Sequence, residues 1–200
     1  GARLWVGYKL PELLKQAGLT STPGFNTRHI LALSVRACFI ELQAIFILLL
    51  CRTGWNKASL FAMEINNIIY DEEYGHYEIQ GYKSKTDDFT PSVFIDRHEK
   101  HYQDAIRRLI WNRNQLILLE FIPATEQRIW FSWTTSKDMY TERSVMIQMT
   151  PDAFIERHSL FKFTLEQIRE QVGSLEHYTT RSTEHTRRKL GHTSIGTTGV

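Results

Sequence analysis

The chain is poor in the residues that mark a metal site or a disulfide scaffold. It has two cysteines, Cys38 and Cys51, and five prolines in 200 residues. No C-x-x-C pair and no Cys/His spacing suited to zinc occurs, so no metal site is expected. Both cysteines fall in or beside one apolar run. Thiols so placed read as buried and reduced rather than as a disulfide, which points to a reducing compartment, the cytoplasm. There is no secretory signal pattern. The apolar run over 35–51 contains Arg36, Glu41 and Gln43, so it reads as a core helix and not as a membrane span. Net charge is scarce as well: 24 Lys and Arg against 22 Asp and Glu leave +2. That total does not identify a nucleic-acid partner, because phosphate binding depends on local clusters. Neither an internal repeat nor a low-complexity tract is present.

Apolar residues make up 42% of the chain, enough for one real core. Residues 1–26 read as a linker with a short helix over 10–17, opened by Pro11 and stopped by Gly18. Residues 27–200 read as the domain. A helix runs from a Thr27 cap to about Arg52, apolar over most of its circumference and therefore central. Thr53-Gly54 ends it, and Asn56 can cap a short helix over 57–64. Strands are expected over 67–70, 76–82 and 89–96 as one three-stranded antiparallel sheet. Helices follow over 97–120, 165–177 and 182–190, the last closed by Gly191. Between them, 128–133 is apolar and aromatic, and 141–158 bends or divides at Pro151. The class is mostly α, an α+β arrangement of helices around a small sheet.

Three stretches offer chemistry. In Lys83-Ser84-Lys85-Thr86, two lysines near a hairpin tip can reach a phosphate or protonate a leaving oxygen; a solvated turn is the plainer reading. Arg169 lies on an amphipathic helix, where Glu166 and Glu170 could pair with it at helical spacing. Alternatively, its planar two-donor fork suits a phosphate. Arg181, Arg187, Arg188 and Lys189 stand against Glu184 and can face DNA phosphates or merely solvent. His192 follows Gly191 at a helix end, where a lone histidine is usually structural.

Taken in order, Thr53-Gly54-Trp55-Asn56, Ser84-Lys85-Thr86, Arg169 and Leu190-Gly191-His192-Thr193-Ser194 resemble the motif series of the tyrosine recombinase (phage-integrase) family. The resemblance covers roughly 30–200, the catalytic domain. It implies that Arg169 and His192 bind the scissile phosphate and that Lys85, with Lys83 as a weaker second, protonates the leaving 5′-oxygen. It further implies a double-stranded DNA partner, self-association on DNA, no membrane and no cofactor, and a bacterial cytoplasm with nucleoid association. Three departures stand out. Asn56 occupies the place of the family's first arginine, a change worth on the order of a hundredfold in rate, unless Arg52 or Lys57 supplies the charge. Glu166 stands where a histidine is usual. The expected nucleophilic tyrosine falls just past Val200. The resemblance therefore supports two readings: a strand-cleaving recombinase domain, or a DNA-binding regulator or accessory factor that kept the fold and lost the chemistry. A helical interaction domain unrelated to DNA is the third reading of the residues.

Overall fold

The computed structural model describes residues 37, 39–133, 140–141 and 151–190. The expected helix over 10–17, the Thr27 cap, Cys38, Gly191 and His192 lie outside them.

Helix α1 (Phe39–Thr53) buries Leu42, Ile45, Phe46, Leu49 and Leu50 and packs against most of the other described helices. Its start is pinned at long range: Ala37 N–H donates to Asn112 Oδ1 at 2.8 Å, while Asn112 Nδ2 donates to the Phe131 carbonyl at 3.2 Å. Its end is set by Gly54, at φ +65°, whose N–H donates to the Leu50 carbonyl at 2.8 Å. Only glycine takes that left-handed cap at little cost. Asn56 then caps α2 (Lys57–Phe61), its side-chain oxygen accepting from Ala58 N–H at 2.9 Å. Trp130 closes the core from another side, edge-on to Phe46 with centroids 5.1 Å apart, its indole N–H donating to the Leu60 carbonyl.

A 3-10 turn over Ile65–Asn67 leads into β1 (Ile68–Asp71), β2 (His76–Ile79), β3 (Tyr82–Lys83), β4 (Asp88–Phe89) and β5 (Val93–Ile95). The sheet is three-stranded and antiparallel in the order β1-β2-β5. Its register aligns Tyr77 with Ile95 and Ile79 with Val93 on the buried face, and Ile69 and Phe94 on the open one. The period-2 alternation expected of a half-buried sheet is therefore present.

The expected second strand does not run to Tyr82. It stops at Ile79, and β3 and β4 form a separate two-stranded hairpin. Gly81 causes the break. A Cβ there would lie 2.7 Å from the Ser59 carbonyl oxygen, so only glycine lets the chain pass α2. Thr90 then holds the base of the hairpin: its hydroxyl accepts from Gly81 N–H, and its own N–H donates to the Gly81 carbonyl, both at 2.8 Å.

Helix α3 (Lys100–Leu118) covers the other side of α1. After β6 (Ser132–Trp133) and β7 (Tyr140–Thr141) come α4 (Asp152–Arg157), α5 (Leu165–Thr180) and α6 (Thr183–Leu190). A reciprocal capping box opens α5: Thr164 Oγ1 accepts from Gln167 N–H, and Gln167 Oε1 accepts from Thr164 N–H. Cys51 corrects the reading of two buried thiols. It is a free thiol on the exposed side of α1, because the core stripe passes through Leu49 and Leu50 instead. No described helix is long and apolar enough to cross a membrane.

Candidate functional site

The end of α1, the start of α5 and the end of α6 meet at one seam. Gly54 and Gly173 line it, and the Leu190 side chain fills it. A Cβ on Gly54 would come within 2.9 Å of Leu190 and 2.8 Å of Val172, and one on Gly173 within 2.9 Å of Leu190. Two glycines separated by more than a hundred positions thus make room for one leucine.

Arg169 lies across this seam. Its Nε donates to the Gly54 carbonyl and its Nη2 to the Leu190 carbonyl, each at 3.2 Å. Half-burial lowers its pKa, but a guanidinium starts so high that it stays charged. The two carbonyls fix the plane of the fork without cancelling its charge. Three motifs distant in sequence, the Thr-Gly turn, the helix arginine and the leucine before Gly191-His192, are thereby joined by one side chain.

Beside it is a cleft of about 160 Å³ lined by Trp55, Asn56, Lys57, Leu165, Glu166, Arg169 and Glu170. Formal charge in the lining balances, two cations against two carboxylates. Lys57 Nζ is 3.2 Å from Glu166 Oε1, and both side chains are more than half exposed, at 58% and 66%. The Glu166 carboxyl is held below its ordinary range by its own backbone N–H at the helix start and by the Lys57 ammonium. Trp55 is 1% exposed, and its indole Nε1 is buried with no hydrogen-bond partner among the described residues. Asn56 uses its side-chain oxygen on the α2 cap. Sequence reasoning named Asn56, Glu166 and Arg169. It offered Glu170 only as a partner for Arg169 and gave Trp55 no part in a site, because the placement of both in the cleft depends on how α5 docks on the Thr-Gly turn.

The structure does not turn Arg52 toward this cleft. Its Nε and Nη2 reach both oxygens of Glu99, at 2.6 and 3.1 Å, and Nη2 also reaches the Phe94 carbonyl at 2.9 Å. Of the two cations considered for the charge missing at Asn56, only Lys57 lines the cleft.

Lys85 is exposed in the turn between β3 and β4, and Lys83 is half-buried at the end of β3. Their hairpin packs on α2, the helix that Asn56 begins. Arg181 caps α5 in the left-handed conformation, at φ 52°, with its side chain exposed. Arg187 and Arg188 both bond Glu184, at 2.7 and 2.8 Å, and Lys189 pairs with Glu176. Their pull brings the Glu184 carboxyl down to about 2, Arg187 contributing most. The basic run is thus partly neutralised from within. Among the described residues, no group of three His, Cys, Asp or Glu could hold a metal ion.

No family model matches the sequence, and no curated protein matches it. Solved structures similar in shape include two recombinase complexes. One is XerH site-specific recombinase bound to difH substrate, a pre-cleavage complex, with TM-score 0.57 and 15% identity over 79% of this chain. The other is XerH bound to palindromic difH substrate, a post-cleavage complex, with TM-score 0.54 and 15% identity over 80% of this chain. The chain spans only 42% and 45% of those recombinases' own length. The shape and the order of elements give this chain a tyrosine-recombinase-like fold, helices around a small three-stranded antiparallel sheet.

Proposed function

We propose that this chain is the DNA-binding catalytic domain of a site-specific tyrosine recombinase or integrase, which cuts and rejoins DNA strands through a phosphotyrosine link. The observation that carries the reading is Arg169, clamped between the Gly54 and Leu190 carbonyls at the meeting point of three motifs. A charged planar fork held this way is prepared to receive a phosphodiester without further reorganisation. In this reading Arg169 and His192 hold the phosphate. Attack by a tyrosine oxygen forms the O–P bond as the bond to the 5′-oxygen breaks, and Lys85 gives that oxygen its proton. No cofactor is required, because the phosphotyrosine conserves the bond energy. Lys83, Arg181, Arg187, Arg188 and Lys189 contact the DNA backbone, and the protein self-associates on DNA in the bacterial cytoplasm.

One observation favours a second reading, a DNA-binding factor without chemistry. Asn56 is committed to a helix cap, and Glu166 places a carboxylate in the cleft. Both readings predict duplex binding that falls by orders of magnitude between about 50 and 200 mM salt. Duplex selected from a random pool serves as the ligand, and hydrogen peroxide as a small external nucleophile in place of a tyrosine. Strand breaks at one position, abolished by Arg169→Ala, support the recombinase. Salt-dependent binding without such breaks supports the second reading, and binding indifferent to salt defeats both.

A further inference from the structure

The cleft beside Arg169 already contains an anion of the protein's own. Glu166 is the second residue of α5, and its carboxylate meets the Lys57 ammonium at 3.2 Å. Both groups line the cleft with Arg169. Lys57 follows Asn56 directly, so it carries the positive charge next to the position that lacks one. An incoming phosphate and Glu166 would seek the same ammonium. The pair is exposed, which makes it weak and exchangeable; ion pairs of this kind contribute little to stability.

We propose that Lys57 and Glu166 form an electrostatic latch, in which the Glu166 carboxylate holds Lys57 in place of a DNA phosphate and hands it over when duplex binds. The proposal rests on reading the Arg169 cleft as a phosphate site and adds a phosphate-binding residue, Lys57, and a competitor, Glu166. The exchange moves one ion-pair partner and breaks no covalent bond. It also gives the cleft selectivity. The closely spaced monoanionic phosphodiesters of a duplex together displace the carboxylate, and a weak isolated anion does not.

The test measures duplex affinity by fluorescence anisotropy across a salt series for the 200-residue chain and its variants. Glu166→Gln is expected to bind about three- to fivefold more tightly, the scale of one exposed ion pair released. Lys57→Met is expected to bind more weakly, with a salt slope smaller by about one. In the double variant the gain from Glu166→Gln should disappear, because no latch is left to open. A gain equal in both backgrounds overturns the proposal, since it would reflect only the removal of a negative charge near DNA; no gain at all overturns it too. Arg169→Ala separates the two levels. If that variant loses affinity while Glu166→Gln and Lys57→Met match the parent, the latch fails and the phosphate site stands. If Arg169→Ala binds as well as the parent, both fail. Circular dichroism of each variant confirms that it is folded.

Discussion

Two arginines flank the Thr-Gly turn, and their surroundings differ in kind. Arg52 is held by a carboxylate, with Glu99 taking both prongs of its fork at 2.6 and 3.1 Å. Arg169 bonds two backbone carbonyls, Gly54 and Leu190, which orient its fork. The first arrangement makes a staple between α1 and the start of α3. In the proposed reading the second makes a receptor. Both are arginines on helices, Arg52 in the last turn of α1 and Arg169 in the second turn of α5, and in that reading the acceptor chemistry decides which of them serves a phosphate.

The sharpest way to break the comparison is to break the seam that builds the receptor. Gly54→Val forces a side chain into contact with Val172 and Leu190 at a left-handed position. Strain and overpacking together should cost about 3 kcal/mol, read as a fall of several degrees in Tm by thermal denaturation. Arg169→Ala comes next, with duplex affinity expected to drop at least tenfold, the scale of hydrogen bonds to a charged group. Arg169→Lys should recover little of this, because an ammonium cannot reach both carbonyls and a phosphate in one plane.

Arg52→Ala should show the opposite profile. Stability falls by about 1 kcal/mol in urea titration, and DNA affinity holds. The staple is also pH-dependent. Burial disfavours the charged Glu99, but the Arg52 hydrogen bond, the Asp96 N–H and the Arg52 charge outweigh it, leaving the carboxyl below its ordinary 4.5. A depressed folded-state pKa contributes stability that is complete above the unfolded value and fades as pH falls through the folded one. Unfolding of the parent should therefore grow easier below about pH 4.5. Arg52→Ala should lose that part of the slope. The smallest effect is expected from Arg188→Ala, less than twofold in duplex affinity, because Glu184 already shares that charge with Arg187. A larger loss would mean that α6 releases its pairs on DNA.

Much of this arrangement was legible in the sequence wherever the cause is local. Asn56 as a cap, the start of α5 at Leu165 and the end of α1 at Gly54 each have a cause within a few residues. The interruption at Gly81 was not, because its cause is the Ser59 carbonyl, which only the docking of α2 brings there. The same holds for charge. Glu184 is near Arg187 and Arg188 in sequence, yet Lys189 finds Glu176 a helix away, and Arg52 finds Glu99 at the start of α3. A run of cations in the sequence is an upper limit on the field that a partner meets. Cys51 was misplaced because an apolar run suggests burial on all sides, while α1 buries a stripe.

Leu190 ends α6, and its carbonyl is one of the two that hold Arg169. Its side chain is wedged against Gly54 and Gly173 with no slack for sliding. Any tilt of α6, along which Arg187, Arg188 and Lys189 are carried, must therefore move the Leu190 carbonyl as well. A force applied to the outer face of that helix reaches the guanidinium through Leu190, alongside the pairs that His185 and Lys189 make with Glu176 on α5. The arginine is thus a gauge of whether α6 is seated.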